Sequence, residues 1–180
     1  AIGGGLSLSQ QGLNTLALTG ANTYTGSTTT AVGSTLAVGN GGTTGTLGSG
    51  AVTGSGLLAF NRADNVVVAN AIGDNLRLSQ TGTGTLTLTG ANTYAGTTTI
   101  ASGSTLVVGS GGTTGTLGAG AITTNGTLAF NRSDAVTVAN AIDGSGGLQA
   151  LGTGTVALTA TNSYTGTTTI ASGSTLSMGN

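Results

Sequence analysis

The sequence predicts an all-β fold, a right-handed parallel β-helix (β-solenoid) of about eight coils. Two observations support this prediction. The chain of 180 residues repeats itself with a period of 70. Each repeat contains short segments in which apolar residues alternate with small or polar ones, the pattern of a strand with one buried face. Units of this kind cannot form a core alone, so they bury their apolar faces by stacking on one another.

The 70-residue period contains no gaps. When residues 1–110 are aligned with residues 71–180, 72 of the 110 positions are identical. We therefore expect a single β-solenoid segment over residues 1–180, with repeat units 1–70 and 71–140 and a partial unit 141–180. We also expect this segment to be part of a longer array.

A shorter unit recurs inside the long repeat. The pattern apolar, small, apolar begins at Leu16, Leu36 and Leu58, and its next member begins at Leu86. The three intervals between these starting points add up to the long period, so the long repeat is predicted to contain three coils. The longest coil contains both Val66–Val68 and Leu76–Leu78, and it is expected either to bulge or to carry an additional short strand. The first residues of the eight members are predicted to form one inward ladder: Leu16, Leu36, Leu58, Leu86, Leu106, Leu128, Val156 and Leu176.

The remaining residues fit the same architecture. Stacked coils lie about 4.8 Å apart, so eight coils make a rod roughly 38 Å long. Threonine suits the outer surface because its branched Cβ favours extended backbone, and glycine and asparagine suit the turns between strands. A right-handed winding is expected from the general preference of parallel crossovers. A β-sandwich is the alternative, and the gap-free repeat and the absence of proline and tryptophan argue against it.

The composition excludes several classes of function. Charged residues make up 4% of the chain, against about 25% in an average protein. Three basic side chains are too few to bind the phosphate backbone of a nucleic acid. The absence of cysteine removes disulfides, thiol catalysis and thiolate metal sites. No apolar run approaches the roughly 20 residues of a spanning helix, so this segment is not expected to span a membrane.

The few titratable side chains do not suggest catalysis. Asp64 and Asp134 are predicted to lie three coils apart, a separation of roughly 14 Å, whereas paired carboxylates that cleave a glycosidic bond lie about 5–9.5 Å apart. Arg62 and Asp64 share one face of an extended chain, and this predicts an exposed ion pair at a corner, repeated at Arg132 and Asp134. We therefore predict no catalytic, cofactor-binding or metal site, no cofactor and no enzymatic activity.

Two further motifs are interpreted as structural. The glycine-rich segments 39–45 and 109–115 lack the lysine and the helix start of a phosphate-binding loop, so they are predicted to be turns. Tyr24, Tyr94 and Tyr164 each follow Asn-Thr or Asn-Ser. A row of aromatic rings can stack on sugars, but rings three coils apart do not form a continuous row. Each ring is instead predicted to cover the core at a corner with its hydroxyl in water.

Residues 82–100 read GTGTLTLTGANTYAGTTTI and are followed by GSTL at 103–106. This stretch, with its equivalents at 12–38 and 152–178, resembles the autotransporter-associated β-strand repeat. That repeat is found in passenger domains on the surface of Gram-negative bacteria. The resemblance implies a right-handed parallel β-helix, secretion across the outer membrane, and frequently a role in adhesion, aggregation or spacing.

The sequence predicts a non-enzymatic solenoid, and the resemblance implies that it is extracellular, at the cell surface of a Gram-negative bacterium, where it serves as a stalk, an adhesin passenger or a fibre-forming segment. The expected partners are further coils of the same chain, neighbouring subunits joined end to end, or a host surface or polysaccharide. The alternative is ice binding by rows of Thr-x-Thr. This pattern occurs once in each long repeat, at Thr28 and Thr30, at Thr97 and Thr99, and at Thr167 and Thr169.

Overall fold

A computed structural model describes residues 1–179. In these residues 19 short strands, all paired in parallel, wind into a β-solenoid of about nine turns. The predicted fold class is confirmed, and the predicted number of coils is close to the number observed. None of the described residues forms a helix that could cross a membrane.

Each turn of the solenoid has three sides, which we name A, B and C in chain order. Side A contains β1 (Leu8–Gln10), β3 (Thr28–Thr30), β5 (Val52–Gly54), β14 (Val136–Val138), β17 (Thr155–Leu158) and β19 (Thr175–Met178). Side B contains β2 (Thr15–Leu18), β4 (Thr35–Val38), β6 (Leu57–Phe60), β8 (Arg77–Gln80), β10 (Thr98–Ile100), β12 (Ile122–Thr124) and β15 (Ile142–Asp143). Side C contains β7 (Val66–Val68), β9 (Thr85–Leu88), β11 (Thr105–Val108), β13 (Thr127–Phe130), β16 (Gly147–Ala150) and β18 (Thr168–Ile170).

Strands on sides B and C form continuous sheets of seven and six strands, whereas side A is divided into two sheets of three. Between β5 and β14 the stack on side A continues without named strands. Ile72 forms a single bridge to Val52, and the amide of Thr93 donates to the carbonyl of Ile72 over 2.8 Å. Side A is therefore one stack of segments in which ordinary strand pairing is interrupted.

The strands have the alternating burial that the sequence predicts. In β4, β9 and β11 every second side chain is buried and the residues between them are half-buried. Leu36, Leu58, Leu106 and Leu128 are fully buried in a single core cluster. Burying each such side chain stabilises the fold by about 1.5–3 kcal/mol as an upper estimate.

The predicted inward ladder is wrong as one row, because the structure divides it among three sides. Leu86, Leu106 and Leu128 are neighbours on side C, where Leu128 pairs next with Leu148, and Val156 and Leu176 are neighbours on side A. Leu16, Leu36 and Leu58 are neighbours on side B. The next residue on that side is Leu78, which pairs with Leu58, whereas Leu86 lies on side C beside Leu106. The long interval between Leu58 and Leu86 is therefore one full turn, which ends at Leu78, plus the short segment that leads to the next side.

The 70-residue repeat consequently spans three turns and one further side, not the three coils that the sequence analysis predicted. Between Leu8 on side A and Leu78 on side B the chain passes ten sides. Equivalent residues of successive repeats thus lie on successive sides. Thr28 is on side A, Thr98 on side B and Thr168 on side C. Each repeat is rotated by about a third of a turn relative to the one before.

This rotation removes the basis of the ice-binding alternative. The repeated Thr-x-Thr segments lie on three different sides and form no common flat face in the described chain. Thr28 and Thr30, moreover, are each only 1% exposed, so they point into the solenoid. Ice binding is not supported.

Candidate functional site

The recurring Asn-Thr-Tyr motif links three successive turns through its asparagine. The side-chain Oδ1 of Asn92 accepts a hydrogen bond from the amide of Ile72, one turn earlier, over 3.0 Å. Its Nδ2 donates to the carbonyl oxygen of Thr116, one turn later, over 2.8 Å. The amide of Asn92 also donates to the hydroxyl of Thr116 over 2.6 Å. These bonds join the turns on side A where strand pairing is interrupted.

The same link occurs in the first repeat on side C. There Asn22 accepts from the amide of Ile2 over 2.8 Å and donates to the carbonyl of Thr46 over 2.8 Å. In the third repeat Asn162 accepts from the amide of Ile142 over 3.0 Å. The sequence motif alone assigns no role to these asparagines. Thr46 and Thr116 follow the first two asparagines at the same interval, and this joint recurrence is the signal that points to a paired role.

The tyrosine of the motif is buried, and its hydroxyl is not in water. Tyr24 and Tyr94 are 0% and 1% exposed. Their hydroxyls bond to the hydroxyls of Thr28 and Thr98 over 2.7 and 2.8 Å. Burial raises the pKa of Tyr94 above the usual tyrosine value. The prediction of hydrated hydroxyls is therefore wrong for these two rings. Tyr164 makes the equivalent bond to Thr168 and is half-buried.

The predicted Arg–Asp pair is present, but its arginine is buried. The guanidinium of Arg62 donates from Nε and Nη2 to the two carboxylate oxygens of Asp64, each over 2.8 Å, and from Nη1 to the carbonyl of Gly45. Arg62 is 9% exposed, whereas the side chain of Asp64 is 41% exposed. Arg132 makes the same contacts with Asp134 and Gly115. The prediction of an exposed pair is therefore wrong for the arginine, which is buried.

Each arginine holds a glycine-rich segment in place. Gly39 has a φ of 83°, a left-handed conformation that favours glycine. A Cβ on Gly39 would lie 2.8 Å from Cδ of Arg62, so no side chain fits between this turn and the arginine. The segment 39–45 contains bends and no helix, as predicted for a turn. The arginine closes this turn through the carbonyl of Gly45.

The ion pairs make stability depend on pH. Hydrogen bonding from Arg62 is the main cause that lowers the pKa of Asp64 below its usual value of 3.8, and Arg132 does the same for Asp134. Because the pKa values are lower in the folded state, these groups stabilise the fold above the ordinary carboxyl pKa. That contribution is lost as the pH falls through the folded-state pKa.

We expect the melting temperature to fall between about pH 5 and pH 2 and to fall less in the double variant Asp64→Asn, Asp134→Asn. At pH 7 the double variant should melt at a lower temperature than the natural chain, because neutral carboxamides bind the guanidinium groups more weakly. Thermal unfolding followed by circular dichroism at several pH values measures both the pH dependence of the melting temperature and the difference at pH 7. An identical pH dependence in the two proteins would contradict the role of these aspartates.

The aspartates do not form a catalytic pair. Asp64 lies at the corner between β6 on side B and β7 on side C, and Asp134 lies at the corner between β13 on side C and β14 on side A. Asp74 has a φ of 60°, and its carboxylate accepts a hydrogen bond from the amide of Gly54 over 3.1 Å. Within residues 1–179 no three potential metal-binding side chains of His, Cys, Asp or Glu lie together.

The architecture is that of a parallel β-solenoid whose repeated polar side chains connect one turn to the next. Three segments, residues 8–38, 78–108 and 148–178, match the model of the passenger-associated-transport-repeat family. They cover 93 of the 180 residues, and the chain therefore belongs to this family. No curated protein and no solved structure matches the chain.

The family match confirms the resemblance to repeats of autotransporter passenger domains. Each matched segment contains four strands, beginning with β1, β8 and β16. These three strands lie on sides A, B and C, so the matched units follow the rotation described above. The recurring sequence unit is thus a structural unit that advances by one side at each repetition.

Proposed function

We propose that this chain is a non-enzymatic structural segment of an autotransporter passenger, displayed outside the cell of a Gram-negative bacterium as a stalk or adhesive rod. The proposal rests on the hydrogen bonds that the recurring polar residues make within the solenoid. Asn92, Tyr94 and Arg132 all bind other parts of the solenoid. Residues that recur with the period of the chain therefore act in holding the rod together.

The proposed partners follow from the same construction. The turns of the described solenoid pair with one another through the edges of parallel strands, and an edge of this kind offers backbone groups for pairing. Further coils pair with such edges, either in the same chain or in neighbouring subunits joined end to end. A chain with no cysteine also needs no particular redox environment to fold, and this suits exposure outside the cell.

Electron microscopy and surface labelling of the intact source protein test this proposal. Negative-stain images should show rods or filaments, and antibodies raised against residues 1–180 should label intact cells. Uniformly dispersed compact particles would contradict the rod. Labelling that occurs only after the cells are lysed would contradict display at the surface.

A further inference from the structure

An open polar groove lies at the corner between sides B and C, near the end of the described stack. Its volume is about 450 Å³, within the range of roughly 300–1,000 Å³ that is typical of ligand pockets. Six polar side chains and several glycine backbones line it. The side chains are those of Asn125, Thr127, Ser145, Gln149, Thr167 and Thr169.

The groove exists because one outward row of side chains is interrupted. On side C the residues Thr85, Thr105 and Thr127 are neighbours in successive turns. The next position in the row is Gly147, which pairs with Thr127 and has no side chain. Thr167 follows in the next turn, since its carbonyl accepts a hydrogen bond from the amide of Leu148 over 3.0 Å. The missing side chain leaves a gap between two threonines.

The groove also lies in the part of the third repeat that differs most from the second. Residues 141–150 are identical to residues 71–80 at 3 of 10 positions, whereas residues 111–120 are identical to residues 41–50 at 9 of 10. At the position of Gly147 the second repeat has Arg77, a long side chain on the outer surface. The third repeat has no side chain at this position, and a Cβ on Gly147 would lie only 2.7 Å from the carbonyl oxygen of Thr167. The glycines at 144, 146 and 147 make this segment different from its counterpart.

The chemistry of the lining selects for one kind of ligand. Among the described residues that line the groove, none has a charged or apolar side chain, so neither an ionic group nor an apolar anchor would find a counterpart. The carboxamide of Asn125 is held in place, because its Oδ1 accepts hydrogen bonds from the amide and the hydroxyl of Ser145 over 3.1 and 3.0 Å. Its Nδ2 and the carboxamide of Gln149 are left to bind a ligand, as are the threonine hydroxyls.

An extended peptide does not fit the groove by strand addition. The amides of Gly146 and Gly147 already donate to the carbonyls of Thr124 and Gly126, over 2.7 and 2.9 Å. Strand addition requires free main-chain donors and acceptors at a sheet edge, and these two donors are engaged. The available groups are side-chain hydroxyls and carboxamides, which act as both donors and acceptors.

We propose that this groove binds a neutral saccharide, with Asn125 and Gln149 as the principal hydrogen-bonding side chains. A chain of uncharged sugar rings presents many hydroxyls and no formal charge, and this matches the lining. The proposal goes beyond the structural role proposed above. The rod can exist without a saccharide site, so a failure of one does not imply a failure of the other.

The test is binding of the purified chain to an array of neutral glycans, with dextran and mannan as soluble competitors. We expect binding to at least one neutral glycan. Asn125→Ala and Gln149→Ala should each weaken it about fivefold, the effect of losing one hydrogen bond. Thr167→Arg should abolish it by filling the groove. Ser79→Ala, at the counterpart of Gln149 in the second repeat, should bind as the natural chain does.

Several results would overturn the proposal. These are the absence of binding to any neutral glycan, binding only to heparin or to a peptide library, or glycan binding that Thr167→Arg leaves unchanged. Circular dichroism and the melting temperature of each variant show whether it folds. If Thr167→Arg unfolds the chain, Gln149→Ala decides the question, because Asn125→Ala also removes the hydrogen bonds that join Asn125 to Ser145.

Discussion

Replacing Tyr94 with alanine is expected to destabilise the chain by about 3–5 kcal/mol, the usual cost of removing a buried aromatic ring. The ring is 1% exposed, and its hydroxyl is bonded to Thr98. Gly118 packs directly against the ring and has no side chain that could fill the cavity. Chemical denaturation followed by circular dichroism measures the change in the free energy of unfolding.

Two variants serve as controls for this prediction. Tyr94→Phe keeps the ring and removes one hydrogen bond, so it should cost only about 0.5–1.5 kcal/mol. Tyr164→Ala should cost less than Tyr94→Ala, because Tyr164 is half-buried in the described chain. Equal losses in Tyr94→Ala and Tyr164→Ala would show that the burial of the ring is not what stabilises the motif.

Replacing Gly118 with alanine is expected to destabilise the chain by about 3 kcal/mol, at the upper end of overpacking effects. A Cβ at this position would overlap with the carbonyl oxygen of Tyr94 and with two carbons of its ring. Neither the backbone nor the enclosed ring can move aside without disturbing the next turn. The expected loss comes from the contact between the new Cβ and Tyr94 and not from backbone strain, since Gly118 is not among the glycines with positive φ.

Gly112→Ala is the matched control for Gly118→Ala. Gly112 lies in the same connection between β11 and β12, and a Cβ there would meet no atom within 4 Å. Its replacement should change the free energy of unfolding by less than about 0.5 kcal/mol, as is usual for surface substitutions. If both variants unfold at the same denaturant concentration, the close contact between Gly118 and the ring is not present in solution.

Much of the fold could be predicted from the sequence because the determining signals are local or strictly periodic. Alternation in segments such as 35–38 and 105–108 indicates strands with one buried face, and these are β4 and β11. The identity between repeats indicates a stacked array. The intervals from Leu16 to Leu36 and from Leu36 to Leu58 identify the true neighbours on side B.

The position of Leu86 could not be predicted in the same way. An alternating segment reveals that a strand exists but not which side of the turn it occupies. The segments at 66–68, 76–78 and 86–88 all carry apolar residues at alternate positions. Choosing Leu86 and not Leu78 as the neighbour of Leu58 gave a repeat of three coils. The two apolar segments in the long coil allow an additional strand, but only the backbone pairing shows that Leu78 is the neighbour of Leu58.

The burial of the Tyr94 hydroxyl and of the Arg132 guanidinium could not be predicted from the sequence. Both side chains are amphipathic, and their polar ends usually remain in water. Their burial depends on partners far along the chain, Gly118 for the ring and the carbonyl of Gly115 for the guanidinium. The recurrence of these residues indicates that they matter, and the structure assigns them to internal links.

Engineered disulfides test the rotation of the repeat most directly, since the natural chain has no cysteine. Ala59 and Ser79 are neighbours on side B, where paired Cα atoms lie about 4.8 Å apart, within the range of about 4.4–6.8 Å that a disulfide requires. The double variant Ala59→Cys, Ser79→Cys should therefore oxidise to an intramolecular disulfide. A repeat of three coils would instead place Ala59 beside Thr87.

The decisive measurement is the number of free thiols, determined by mass spectrometry after mild oxidation of the dilute folded protein. We predict no free thiols in Ala59→Cys, Ser79→Cys and two free thiols in Ala59→Cys, Thr87→Cys. The opposite result, a disulfide between positions 59 and 87 and none between 59 and 79, would contradict a repeat that advances by one side.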